Sequence, residues 1–439
     1  MVEKYNIKGG TPLRGEVNIG GAKNAVLKLM AASILVKGST RIHNVPELTD
    51  VEIMLSVIEQ LGAKTHYNRE TKSIEIDATD LTSVTAKYEL VSKMRASFII
   101  LGALVSRCRE AVVALPGGCA IGERRVDFHI KGLEAMGAKI KIENGYVIAK
   151  APKLTGCEIY LDIPSVGATE NLMLAAILAD GTTTIQNAAR EPEIIDLANF
   201  LNAMGADVVG AGTSDITING VKQEDLHEIE YTTIPDRIEA GTFMTAVVAT
   251  RGKALIKNIF PAHLTFFTNK LLKMGASIKL VEPTIIEVSC KSRLNTVNFV
   301  TQPYPGFPTD LQSMAMVLLS TANGVGIITE SLYENRFMQV PELRRMGADI
   351  HQDRNHAIIK GVKKLTGTTL SASDLRAGAS LVVAALMAEG SSIIENLYHI
   401  DRGYENFEQK ISLLGGKIER FNSDESSDKD LKGVYDAHL

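Results

Sequence analysis

A chain of 439 residues with 45% apolar and 22% charged residues is too long for one core and too apolar to stay disordered, so two or three domains are expected. Its net charge of −4 excludes the overall basic footprint of a nucleic-acid binder, so anionic ligands would need cations gathered locally. Four cysteines without paired spacing exclude a disulfide scaffold and read as thiols of a reducing compartment. The opening MVEKYNIKGG lacks the apolar stretch of a leader. The apolar runs, about a dozen residues long, fall short of the roughly 20 that cross a bilayer. A soluble, cytosolic protein without membrane insertion is expected.

One phrase recurs along the chain: a helix ending in Leu or Met, then Gly-Ala or Gly-Gly, then a strand. It stands at Gly62, Gly137, Gly205, Gly275, Gly347 and Gly415, about 70 residues apart, a period longer than common solenoid repeats. Glycine suits a helix end because the residue after the last turn commonly adopts the left-handed conformation. In chain order each unit predicts a short leading strand (GEVNIG, KYELV, EIYLDI, HEIEYTTI, NFVTQ, TTLSA) and then an apolar helix. A strand often ending in Asn (STRIHN, TTTIQN, ALIKNI, SSIIEN) follows, then a loop, the helix that ends in glycine, and two strands. The unit is βαβαββ. The first helix is apolar almost all round (NAVLKLMAASIL, ENLMLAAILA, DLQSMAMVLLS), which predicts helices packed together inside and sheets outside. The second helix is amphipathic, with Val126, Ile130, Leu133 and Met136 marking one face.

Six units divide as three plus three. The expected domains are 23–232, and 1–22 together with 233–421, with the opening strand closing the second. Residues 422–439 form an acidic, polar tail expected to stay disordered.

Nucleotide and metal fingerprints are absent. No G-x-x-x-x-G-K-[ST] exists, GAGTSD at Gly210 lacks a third glycine and a following helix, and nine histidines are scattered without a cluster. No cofactor and no metal are expected. The segment LPGGCAIGERRVD stands out. Two glycines precede Cys119, and Arg124 and Arg125 follow closely enough to favour its thiolate. Cys108, Cys157 and Cys290 read instead as ordinary small buried residues. Polar loops recur at helix N-termini, including Lys23-Asn24, Arg95, Arg190-Glu191, Asp236-Arg237, Asp310, Arg336, Asp374 with Arg376, and Asp401-Arg402. Such N-termini offer free N–H groups and a positive dipole end, and arginine adds a planar fork matched to phosphate or carboxylate. The residues alone predict a two-domain enzyme that binds polyanions in a cleft, with a reactive thiol and either Asp310 or Asp374 as acid or base.

At GGAKNAVLKLMAA, KMRASFIILG, LPGGCAIGERRVD, SVGATENLM, AAREPEI, FPTDLQ, ENRFM, DLRAGASLV and HIDRGYE the chain resembles the enolpyruvyl transferases, specifically the UDP-N-acetylglucosamine 1-carboxyvinyltransferase family. The resemblance runs from the opening strand to about Phe421. It implies a two-domain inside-out α/β barrel of six βαβαββ repeats, three per domain. It also implies transfer of the enolpyruvyl group of phosphoenolpyruvate to the 3-hydroxyl of UDP-N-acetylglucosamine, with release of phosphate, the first committed step of peptidoglycan synthesis. Carried over by motif, Lys23, Arg124 and Arg402 hold phosphoenolpyruvate, Cys119 protonates its methylene carbon and can form an adduct, and Asp310 is the base. Asn24, Arg95, Arg124, Arg125, Val126, Asp127, Phe128, His129, Ser165, Val166, Gly167, Asp310 and Leu332 fall where the family binds the sugar nucleotide. Arg336, Asp374, Arg376 and His399 match supporting positions. Arg125 stands where the family usually has proline. The resemblance further implies alkylation of Cys119 by the epoxide fosfomycin. The rival readings are a 3-phosphoshikimate 1-carboxyvinyltransferase and a non-catalytic sensor of UDP-sugars. The sequence names no regulatory protease or adaptor.

Overall fold

The computed structural model describes residues 3–116 and 126–422. The chain forms two compact units. One, here the inserted unit, comprises Gly20–Asp236 with Pro303–Gly306. The other, the flanking unit, holds the described residues up to Ile19, Arg237–Gln302, and those from Phe307 onward. Each has its own apolar core.

The predicted architecture is present in both units. In the inserted unit the helices Lys23–Ser33, Ile100–Cys108 and Val166–Ala176 lie at the core, and in the flanking unit Arg237–Ala249, Gln312–Ser320 and Leu375–Met387 do so. Every residue of Gln312–Ser320 is buried, as an all-apolar helix requires. Small residues let these helices approach closely. A Cβ placed on Gly102 would stand 2.1 Å from the Asn171 carbonyl oxygen, so only glycine fits that crossing. Each core helix packs on a strand of its own repeat, and in each unit three sheets lie outside the three helices with one face inward. Thr40 and Ile42 point inward from the strand Ser39–His43 while Arg41 faces solvent, the two-residue alternation of a half-buried sheet.

Two local devices repeat. The six helix-ending glycines all have positive φ, from 81° at Gly415 to 105° at Gly275, which stops each helix without a Cβ clash. An asparagine after the third element of four repeats also takes the left-handed conformation: Asn44, Asn187, Asn258 and Asn396. Their side-chain amides donate to Thr233 O, Leu161 O, Ile19 O and Ser371 Oγ at 2.7–2.9 Å. Each amide ties the end of one strand to the segment that follows or forms the leading strand. The GAGTSD segment is a hairpin turn between Asp207–Val209 and Asp215–Asn219.

Each sheet has four strands in one pattern. A short leading strand runs parallel to the strand after the core helix, and two antiparallel strands follow. The sheet Phe299–Val300, Val325–Thr329, His356–Lys360, Asp349–Asp353 shows it within one repeat. Three repeats borrow a strand. Arg14–Asn18, expected to lead the first repeat, pairs instead with Lys253–Lys257 in the fourth. Ile229–Thr232, expected to lead the fourth, pairs with Ser39–His43 in the first. Among the described residues the sixth repeat has one strand after Gly415, Lys417–Asn422, and Glu3–Lys8 supplies its partner. The chain thus enters the flanking unit, crosses at Ile19/Gly20, builds three repeats and returns at Asp236/Arg237. Within the inserted unit the two crossing segments meet, with Ala22 N–H donating to Ile234 O at 2.7 Å and Asp236 N–H to Gly20 O at 2.9 Å.

One local expectation changes. KYELV is not a strand: the leading strand is Thr85–Ala86, and Tyr88–Val91 turns as a helix. Only Val91 of that turn is buried and Tyr88 is exposed, so the run lacks the inward alternation a strand needs. In the helix Asp127–Ala135 and its flanks the expected face packs on the core, with Leu133 and Met136 buried and Val126 and Ile130 half-buried against it, and His129 and Gly132 are buried beside them. His129 takes an inward position because a polar partner waits there.

Candidate functional site

In the inserted unit, Lys23 opens the first core helix. Its backbone N–H donates to Asp236 Oδ2 at 3.3 Å, and its Nζ is 2.7 Å from Asp50 Oδ2. Lys23 and Asp50 are both buried, so the carboxylate holds the ammonium in one place. Asn24 follows on the same first turn, and Lys28 Nζ donates to its carbonyl at 2.8 Å.

A second group forms around His129. Its ring lies edge-on to Phe98 at 5.3 Å, and its Nδ1 is 2.7 Å from Asn171 Nδ2. Burial, reinforced by the cation of Arg95, pushes the imidazole down to about 3, so it is neutral across the physiological range. Gly167 rests on this ring, where an added Cβ would stand 3.4 Å from Cε1. Ser165 caps the helix Val166–Ala176, its Oγ accepting from Ala168 N–H at 3.4 Å. Arg95 begins a 3₁₀ turn, Arg95–Ile99, and Asp127 lies in the first turn of the helix that carries Phe128 and His129, with Val126 as its cap. The structure therefore brings Arg95, Val126–His129 and Ser165–Gly167, at the starts of three helical segments, together around the His129 ring.

In the flanking unit, Asp310 sits in the 3₁₀ turn Thr309–Leu311 and bridges two arginines. Arg336 donates to Oδ1 at 2.5 Å and Arg376 to Oδ2 at 3.1 Å. Arg336 also donates to Thr309 Oγ1 at 3.0 Å, and Arg376 to Tyr404 OH at 3.1 Å. Both guanidiniums are buried, whereas the Asp310 side chain keeps 23% of its surface exposed. The carboxylate is fixed but reachable. Asp374 caps the helix Leu375–Met387 by accepting from Arg376 N–H and Ala377 N–H at 2.9 and 3.1 Å. Burial lowers His399; Asp374 opposes that shift and Arg402 adds to it, which groups the three on one side of this unit. Leu332 is positioned through its backbone N–H, which donates to Glu330 Oε1 at 2.9 Å.

Cys119, Arg124 and Arg125 lie outside the described residues. The other cysteines occupy the places expected of structural thiols. Cys108 ends a helix, Cys157 and Cys290 flank strands, and burial pushes all three thiols up, away from reactivity. Among the described residues no group of three or more His, Cys, Asp or Glu could hold a metal ion, and no helix is long and apolar enough to cross a membrane.

Reading the sequence missed Asp50, Lys28, Glu170, Glu330 and Tyr404. Asp50 had a faint signal, because it occupies in its repeat the place of Glu193 in AAREPEI, six residues past the left-handed asparagine. Lys28 and Glu170 lie inside helices and Glu330 at a strand end, where nothing local distinguishes them, and Tyr404 lies in the loop before Phe407–Leu413.

The two inside-out units, each built of three βαβαββ repeats, have the enolpyruvyl transferase fold. The chain belongs to the EPSP synthase (3-phosphoshikimate 1-carboxyvinyltransferase) family, whose model matches residues 7–411. Among its relatives, a UDP-N-acetylglucosamine 1-carboxyvinyltransferase 2 of Carboxydothermus hydrogenoformans is 51% identical over 95% of this chain and 99% of its own. The UDP-N-acetylglucosamine 1-carboxyvinyltransferase of Desulforapulum autotrophicum is 52% identical over 95% and 100%. Of solved structures, the enolpyruvyl transferase NikO from Streptomyces tendae superposes with a TM-score of 0.87 at 27% identity, covering 95% of this chain and 99% of its own. EPSP synthase from Acinetobacter baumannii shares the fold at a TM-score of 0.74 and 19% identity, over 96% and 100%.

Proposed function

We propose that this chain is a cytoplasmic enzyme that transfers the enolpyruvyl group of phosphoenolpyruvate to the 3-hydroxyl of UDP-N-acetylglucosamine, releasing phosphate at the first committed step of peptidoglycan synthesis. The observation that carries the reading is identity of about half the residues, over essentially the whole chain, to proteins bearing that name. The 3-phosphoshikimate enzyme, by contrast, shares the fold at 19% identity.

In this reading Cys119 donates a proton to the methylene carbon while the sugar hydroxyl attacks the adjacent carbon and Asp310 accepts the hydroxyl proton. The resulting tetrahedral species carries phosphate and carboxylate together, and Lys23, Arg124 and Arg402 offset their charge. Loss of a proton from the new methyl group then expels phosphate and restores the double bond. Lys23 suits its part because Asp50 and Asp236 fix both ends of the residue. Asp310 suits its own because Arg336 and Arg376 leave its carboxylate one orientation. Arg95, Val126–His129, Ser165–Gly167 and Leu332 bind the nucleotide and sugar, with the neutral His129 ring as a rigid floor under Gly167.

Phosphate release from phosphoenolpyruvate tests the reading. Release that requires UDP-N-acetylglucosamine supports it. Release with shikimate 3-phosphate instead assigns the other acceptor, and binding of the nucleotide without release identifies a sensor.

A further inference from the structure

A buried ion pair joins the two core helices whose first turns carry proposed site residues in the inserted unit. Lys28 stands in the helix Lys23–Ser33, where its neighbours Val26, Leu27, Leu29 and Met30 are buried and apolar. Its Nζ folds back one turn to donate to Asn24 O at 2.8 Å and lies 3.4 Å from Glu170 Oε2. Glu170 is fully buried in the helix Val166–Ala176, one turn past Ser165–Gly167, and apart from this ion pair neither carboxylate oxygen has a hydrogen-bond partner within the described residues. Burial pushes its carboxyl up to about 7, with Lys28 opposing and the nearby Glu193 and Glu191 reinforcing the shift.

Stability does not account for such a pair. Well-packed apolar residues in the same places are often as stabilising or more so, since the desolvation of two charges offsets their attraction. What the pair supplies is register. It fixes the first turn bearing Lys23 and Asn24 against the first turn bearing Ser165, Val166 and Gly167. We infer that Lys28 and Glu170 are positioning residues, a buried pin that aligns the two substrate-binding helix starts of the inserted unit. This rests on the proposed function for its substrates, not for its geometry.

The double variant Lys28→Met/Glu170→Leu replaces the pin with apolar side chains of similar size. It is expected to melt as the wild type does or higher, while kcat/KM falls on the order of tenfold and the Kd for UDP-N-acetylglucosamine rises, the cost of a small misalignment. Lys28→Arg, which keeps the cation and its reach, should restore most of kcat/KM. A folded double variant with wild-type kcat/KM overturns the inference and leaves the pair a core filler. Should the double variant not fold, Lys28→Met alone decides by the same criterion, because Glu170 can then take a proton. Amide hydrogen exchange at Lys23–Val26 and Val166–Thr169 gives an answer independent of activity. Faster exchange in the variant supports the pin and unchanged exchange refutes it. If the wild type neither binds the nucleotide nor releases phosphate, the proposed function fails and hydrogen exchange still tests the pin.

Discussion

Replacing Asp310 with asparagine removes the charge that two buried guanidiniums share. Asparagine keeps one acceptor oxygen for Arg336 or Arg376 and turns an NH2 donor toward the other, so one of the contacts at 2.5 and 3.1 Å is lost. A hydrogen bond to a charged group contributes about 1.5–3 kcal/mol, and breaking a fully buried ion pair costs about 3–5. The partial exposure of Asp310 places this site toward the lower range, at about 2–3 kcal/mol. For a unit of roughly 200 residues that is a fall in melting temperature of about 5–10 °C. If Asp310 is the base, turnover falls separately by about 10²–10⁴ at a temperature where the variant is fully folded. Calorimetry and phosphate release read the two effects independently. Turnover within about threefold of wild type would refute the base assignment and move it to Asp374. An unchanged melting temperature would refute the energetic role of the clamp.

The other predictions use different handles. Cys119→Asp should retain substantial turnover and resist fosfomycin, whereas Cys119→Ser should lose most activity because a hydroxyl is too weak an acid; wild-type protein should gain one adduct at Cys119 by mass spectrometry. An adduct on Cys108, Cys157 or Cys290, or equally dead aspartate and serine variants, would remove Cys119 as proton donor. Burial raises Asp196 from 3.8 to about 6, partly offset by its hydrogen bond from Tyr231. In that window the folded state holds a proton that the unfolded state has released, so stability falls as pH rises from about 4 to about 6. Asp196→Asn should therefore gain stability over the wild type across that window, by up to about 3 kcal/mol, in denaturant titrations. A constant difference from pH 4 to pH 7 would show that Asp196 does not titrate there. Deleting residues 424–439, which include five acidic residues and no apolar periodicity, should leave turnover and melting temperature unchanged, and a clear drop in either would show that the segment docks.

Much of the site was legible because its chemistry is local. Lys23-Asn24, Asp310, Asp374 with Arg376 and Arg402 stand at loop–helix junctions, where a charged residue beside free N–H groups is visible in the sequence itself. Their partners were not legible. Asp50 meets Lys23 across 27 positions, Arg376 meets Asp310 across 66, and Glu170 meets Lys28 from a different repeat. In sequence each of these is only a charge in or before a helix.

The fold divides in the same way. The six-fold repeat, the stop glycines and the all-apolar helices were fixed by periodicity and by glycine's left-handed conformation, which are properties of neighbouring residues. Which strand completes which sheet was decided only in three dimensions. Arg14–Asn18 and Ile229–Thr232 exchange places between the first and fourth repeats, and Glu3–Lys8 fills the sixth. Strands pair through backbone N–H and C=O groups that every residue carries, so a leading strand bears no mark of its partner. The crossings at Gly20 and Asp236 place each strand beside its partner, and those crossings belong to the folded chain.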